Sequence, residues 1–502
     1  MPQSDRSKTP YQQLEARMAK ISAINGAGEV LHWDMSTMMP SGGYQARTEQ
    51  LAALNTVTHN MISANDMPDL LDAAEADTSL DVWQQTNLKE IRHQWLKSTA
   101  LSEDLVEALT RAAAACEEKW RVARPDNDYA SLLPELNALL ELVLESGQAK
   151  AEVLGLSLHD AMLDDYEPGG RVAEIDEIFD DLTDFLPEFI GKALEHQASK
   201  PTPVMPDGPF AIEKQRALGE QFMKTLGFNF NHGRLDISLH PFCGGVPDDV
   251  RLTTRYDEED FTSSLMGILH ETGHSLYEQG LPPQWRAQPV GQSLGMSTHE
   301  SQSLLIEMQV CRSAAFLEYA APIMRETMNG QGPAWETSNL QNLYTRVKPD
   351  FIRVDADEVT YPAHVILRHR IEKAVFSGDL SLADLPGAWN DGMQELLGIT
   401  PPDDRRGCLQ DVHWFDGAWG YFPTYTLGAM TAAQLYNAAK KQDTSIETEI
   451  SKGNFAPLLS WLRTNVHNKG RSVTPQGILI EATGKPLDAE IFKNHLIERY
   501  LS

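Results

Sequence analysis

The sequence predicts a mainly α-helical protein with one small β element, and three observations point there. Apolar residues recur at three- and four-residue spacing along most of the chain. Strict alternation of apolar and polar residues is confined to one short region. No stretch nears the roughly 18 uninterrupted apolar residues that mark a membrane span.

The helical elements carry their own signals. Residues 102–123, "SEDLVEALTRAAAACEEKWRVA", open on Ser102, an expected N-cap. Residues 129–155 and 172–197 have the same period, and each contains one proline expected to kink the helix or mark its first turn. "FAPLLSWLRTNVHNKG" and "AEIFKNHLIERYLS" predict further amphipathic helices near the end.

The exception is 233–257. Leu235, Ile237 and Leu239 alternate with polar residues, a Gly-Gly-Val-Pro-Asp loop follows, and Val250, Leu252, Thr254 and Tyr256 alternate with Arg251, Thr253 and Arg255. This predicts a β-hairpin or the edge of a small sheet. Such an edge can hold an extended peptide through main-chain hydrogen bonds.

Bulk properties exclude several functions. With 72 acidic against 42 basic residues the net charge is −30, which repels nucleic acid and anionic membranes alike. Cys116, Cys243, Cys311 and Cys408 are scattered without a CxxC pair, and the first twenty residues lack the apolar core of a secretory signal. A reducing, cytoplasmic setting is expected. Without repeats or linkers, 1–502 is expected to form a single domain, with room for two helical lobes flanking a groove.

Chemistry enters at "LMGILHETGHSLYEQG" (265–280). His270 and His274 stand one helical turn apart, so both imidazoles can reach one ion. Glu271 projects about 100° round the helix from His270, placed to act on a metal-activated water and not as a ligand. Gly273 weakens the helix by about 1 kcal/mol relative to Ala, a sign of close approach by another segment. A catalytic zinc needs a third protein ligand. Glu300 begins a second helix 26 residues after His274, with Ser297 or Thr298 as its expected N-cap, and Glu307 is the reserve two turns on. No histidine follows at the short spacing that would replace them.

Several ordered motifs then make the chain resemble the carboxypeptidase Taq family of gluzincin metallocarboxypeptidases. They are "HPF" at 240–242, Asp249-x-Arg251-x-Thr253, "HETGH", "HESQS" (299–303), "IRVDAD" (352–357) and "GCLQDVHW" (407–414). The early "LHWDMSTMMPSGGYQAR" (31–47) is also similar. The resemblance implies a helical gluzincin-type fold with a deep active-site groove and a small sheet beside the HExxH helix. It further implies one zinc, or cobalt or manganese, per chain, and a homodimer acting on peptides with a free C-terminus. Single residues would be released with broad side-chain tolerance.

By position, His270, His274 and Glu300 would be the metal ligands and Glu271 the general base. An oxyanion donor is also needed, and Tyr425, then Tyr421, are the candidates. An arginine fork suits the terminal carboxylate, which singles out Arg353 and Arg251. A plain structural role for Arg353 would pair it with Asp355 or Asp357. His240 and His413 are candidates to contact substrate or orient ligands. Two other functions fit parts of the pattern: an endo-acting oligopeptidase or dipeptidyl carboxypeptidase of related fold, and a non-catalytic helical metal-binding scaffold. The absence of cysteines from the cluster and the presence of Glu271 argue against the scaffold.

Overall fold

The computed structural model describes residues 8–502. Four helices begin the described chain: α1 (Pro10–Thr37), α2 (Tyr44–Ile62), α3 (Met67–Glu75) and α4 (Val82–Ala100). They are followed by α5 (Glu103–Asp126), α6 (Tyr129–Leu154), α7 (Leu158–Leu163), α8 (Val172–Ala198) and α9 (Ile212–Leu226). A short sheet of β1 (Gly233–Ile237), β2 (Cys243–Val246) and β3 (Asp249–Thr254) comes next. Beyond it lie α10 (Phe261–Gln279), α11 (Met296–Leu304), α12 (Ala314–Met328), α13 (Thr337–Tyr344), α14 (Tyr361–Ser377) and α15 (Leu385–Leu397). The chain closes with α16 (Pro423–Gln442), α17 (Ile446–Ile450), α18 (Ala456–Asn465), α19 (Pro475–Thr483) and α20 (Ala489–Tyr500).

The expected helices are present. Ser102 caps α5, its hydroxyl accepting from Leu105 N at 3.2 Å. Helices α6 and α8 continue through Pro134 and Pro187. They bury leucine and phenylalanine faces in the main core, which compensates the hydrogen bond each proline removes.

The sheet departs from the simple hairpin. The two alternating runs pair parallel, Leu235 opposite Leu252, with β3 in the centre. The hairpin partner of β3 is the Cys-Gly-Gly-Val segment read from sequence as loop. Its glycines hide the pattern: Gly245 has φ +92°, and a Cβ on it would collide with the Asp249 backbone. Leu235 and Leu252 join the main core, and Val250 is buried beside them.

Two apolar cores form. One runs from α5 to α20 and surrounds α10, α11 and α16. A smaller one joins α1, α3 and α4 through Tyr11, Leu14, Met18, Leu71 and Ile91. Polar ties connect them, including buried Asn87 bonded to Gln288 at 3.1 Å and His93 to Asp164 at 2.8 Å. Trp33 of α1 also lies under the Arg251 guanidinium of β3, 4.3 Å from it.

Candidate metal centre and its surroundings

Helix α10 is held rigidly. Asp260 caps it by accepting from Thr262 N at 2.9 Å, and most of its residues are buried. It packs along α11 at unusually short range, and Gly273 is the reason. A Cβ there would come within 2.6 Å of Ser303 Cα. Gly428 of α16 does the same from the other side, since a Cβ on it would meet Glu300 Cβ at 2.8 Å. Two glycines thus let three helices converge on Glu300.

The N-terminus of α11 is capped differently from the expectation. Gly295 holds the N-cap position, and neither Ser297 nor Thr298 caps with its side chain. A carboxylate from a distant loop replaces them: Glu167 accepts from Ser297 N at 3.0 Å and from its hydroxyl at 2.6 Å. Burial lifts the Glu167 pKa to about 7, with the Ser297 hydrogen bonds opposing.

His270, His274 and Glu300 come together, their ligating atoms all within 4.8 Å of one another. Glu300 Oε2 lies 3.4 Å from His274 Nε2 and 3.8 Å from His270 Nε2. Donors about 2.1 Å from a tetrahedral ion stand roughly 3.4 Å apart, so these spacings suit a zinc-sized cation. The other ring nitrogens are engaged. His270 Nδ1 donates to Glu307 Oε2 at 2.9 Å, and His274 Nδ1 to the His299 carbonyl at 3.1 Å. Each imidazole therefore turns its Nε2 inward.

Glu307, the reserve ligand, is thereby placed as the partner that orients His270, and Arg312 holds its other oxygen at 2.5 Å. It lies in a π-helical segment, Leu305–Cys311, that continues α11. Such widened turns recur at functional sites because they re-aim side chains.

The electrostatics call for a cation. Burial disfavours charge on His270, but Glu300, Glu307 and Glu271 outweigh it and lift its pKa to about 10. Burial likewise works against charge on Glu300, yet His270 and His274 hold its pKa down to about 2. Glu271 is buried, its Oε2 has no hydrogen-bond partner, and desolvation raises its pKa to about 7. A carboxylate poised near neutrality without a partner suits proton transfer.

Beside this anionic cluster stands a cationic one. Arg353, on the turn before α14, donates through Nε and Nη2 to Asp411 at 3.1 and 2.9 Å. Asp355 and Asp357, its expected structural partners, do not pair with it; Asp357 instead accepts from Lys348, Val359 and Thr360. Fully buried Arg368 of α14 also donates to Asp411, at 2.6 Å. Burial alone would raise the Asp411 pKa, but the two guanidiniums hold it far below the carboxylate range. Two positive charges against one negative leave a net positive pocket.

Because Asp411 occupies the Arg353 fork, the Nη1 edge is what faces onward, 3.3 Å from the Tyr361 hydroxyl. The guanidinium also sits 4.5 Å from the Tyr425 ring centre. Tyr425 OH shares a hydrogen bond with His413 Nε2 at 3.1 Å, and its ring packs on Tyr421 at 5.1 Å. Burial and the Arg353 charge lower the His413 pKa to about 3, so its ring is neutral. Burial raises the pKa of Tyr425 to about 12 and keeps it a hydroxyl donor, with Glu300 among the charges that reach it. Tyr361 and Tyr421 feel Glu300 too.

Arg251 and His240 are not brought into this cluster. Arg251 pairs with Asp249 of its own strand at 2.7 Å and stacks on Trp33, fastening α1 to the sheet. His240 is exposed on the loop between β1 and β2. Sequence reasoning missed Tyr361, Arg368 and the part played by Asp411. Asp411 lies inside the quoted "GCLQDVHW", but its two arginines sit 58 and 43 residues away.

Comparison with known proteins places the chain. The family model for carboxypeptidase Taq (M32) metallopeptidases matches residues 13–500. Thermostable carboxypeptidase 1 of Thermus thermophilus is 35% identical, with 98% of each chain aligned. Carboxypeptidase 1 of Bacillus subtilis is 33% identical over 96% of each. The solved structure of Trypanosoma cruzi metallocarboxypeptidase 1 superposes with a TM-score of 0.96 at 39% identity, covering 98% of this chain and 99% of that one. The chain belongs to the carboxypeptidase Taq (M32) metallopeptidase family.

Proposed function

We propose that this metallocarboxypeptidase removes single residues from the free C-termini of peptides, with broad tolerance of the terminal side chain. The observation that carries the proposal is the adjacency of two buried pockets of opposite charge. Glu300 and its histidines call for a cation, and the Arg353–Arg368–Asp411 group calls for an anion. The Tyr425 side chain touches the second and feels the charge of the first.

His270 and His274 through Nε2, and Glu300 through its carboxylate, would hold one divalent ion. Zinc suits this set best, although nitrogen and oxygen donors also accept cobalt or manganese. When bound, such an ion supplies Lewis acidity and a water of lowered pKa. Glu271 takes the proton of the attacking water and passes it to the departing amine, a role served by its partner-free oxygen. Tyr425, held by His413, donates to the oxygen on which negative charge develops, and Tyr421 packs it in place. Arg353 presents its Nη1 edge to the substrate's terminal carboxylate. Asp411 and Arg368 fix its plane, so little reorganisation is needed on binding. Arg251 and His240 would act on substrate only indirectly, through the sheet and the α1 contact. The whole of 1–502 serves as one catalytic unit, and we extend the reading to a cytoplasmic homodimer.

Replacing the base while keeping the ligands tests the assignment. Glu271→Gln should lose at least 10³-fold in kcat while metal content by mass spectrometry stays near one ion per chain. A variant that loses its metal but keeps turnover per bound ion contradicts the division between base and ligands.

A further inference from the structure

The end of α10 away from its N-cap borders a cavity of about 330 Å³. Asn229, His232, Pro247, Gln279, Arg286 and Arg463 line it, and no carboxylate does, although the chain carries a net charge of −30. Both arginines cap the helix. Arg463 Nη1 donates to the Leu276 carbonyl, and Arg286 Nη2 to that of Gln279 at 3.3 Å. Gly280 makes this possible, because a Cβ on it would run into the Arg463 guanidinium.

Capping leaves the two cations under-neutralised. The partial negative charge of a helix C-terminus, about half an elementary charge, offsets only part of two guanidiniums. Arg286 has a single carboxylate partner, Asp248, which is itself 60% exposed, and its buried Nε has no acceptor. Arg463 has no carboxylate partner among the described residues; its other contact is His467 Nδ1 at 2.9 Å. Burial, aided by the Arg286 charge, pulls the Arg463 pKa down to about 10. Guanidinium forks match the oxygen spacing of phosphate and related anions, and His232 and Asn229 add polar groups to the same walls.

We propose that this cavity binds a small oxyanion of the phosphate class between Arg286 and Arg463. The site is wired to the metal centre. His467, neutral because burial and Arg463 push its pKa well down, accepts from Arg463 at Nδ1 and donates through Nε2 to Gln302 Oε1 at 2.9 Å. Gln302 stands two residues past Glu300, and its backbone carbonyl is what Gly273 allows to press on α10. Occupancy of the cavity therefore firms up the end of the helix that bears both histidines.

The test is a thermal melt of the metal-loaded protein titrated with inorganic phosphate, with ionic strength matched by sodium chloride. It requires no turnover, so it stands apart from the catalytic assignment. Wild type should show a saturable Tm rise of about 1–3 °C. Arg286→Gln and His232→Gln, which leave the Arg463 cap in place, should each lose it or weaken it at least tenfold in concentration. A parallel titration with O-phosphoserine separates a free ion from an esterified one by which saturates first. No saturable rise in wild type, or an undiminished rise in Arg286→Gln, overturns the proposal.

Discussion

The two buried clusters whose charges reach Tyr425 are built on opposite principles. Around the metal centre, three carboxylates, Glu271, Glu300 and Glu307, surround two imidazoles; against burial they raise the His270 pKa to about 10, and Arg312 pairs with Glu307. In the Arg353 pocket one carboxylate is shared by two guanidiniums, and the excess is positive. On the proposed reading each cluster is incomplete: one would take a cation and the other an anion. Neither arrangement is what stability alone would select, because buried ion pairs are at best weakly stabilising.

Substitutions that fill or empty one cluster break this contrast, the largest effect falling on the metal ligands. Glu300→Ala should abolish metal retention after dialysis and reduce activity at least 10³-fold, checked by metal analysis and peptide hydrolysis together. Arg353→Met should lower kcat/KM on free peptides about 10²–10³-fold, chiefly through KM, while the bound metal stays near stoichiometric. Tyr425→Phe should lower kcat about 10²-fold with KM little changed, the pattern of a contact made in the transition state. Glu307→Gln should weaken metal affinity 10–100-fold, measured by competition with a chelator, since His270 would lose its anionic partner.

An effect on stability and not on activity concerns the cap of α11. The folded-state pKa of Glu167 is raised to about 7 from 4.5, so its contribution to stability is present below pH 4.5 and lost as pH rises through about 7. Wild type should therefore gain stability relative to Glu167→Gln between pH 8 and pH 5, by up to about 2–3 kcal/mol in denaturant melts.

Legibility in the sequence followed the range of each interaction. His270, Glu271 and His274 form a local pattern on one helix, and Gly273 announces a close neighbour by its cost. Glu300 required a second helix but only a short connection. The cap by Glu167 and the Asp411 bridge to Arg353 and Arg368 have no local signature, because their partners are 43 to 130 residues apart. The small sheet itself was legible, but its strand pairing was not, for a related reason: β2 is mostly glycine and cysteine, so periodicity carries little information there, and parallel pairing leaves no turn signal. The helices over 102–123, 129–155 and 172–197 and those near the end were legible, since an amphipathic stripe records its own burial.

If the metal cluster and the Arg353 cluster act together on a free terminal carboxylate, a peptide is cleaved only when its C-terminus is free. Mass spectrometry of products from one peptide, prepared with a free and with an amidated C-terminus, tests it directly. The expected result is a ladder of one-residue losses from the free form that stops on chelation, and little or no cleavage of the amidated form. Equal cleavage of both, or release of internal fragments or dipeptides, would contradict it.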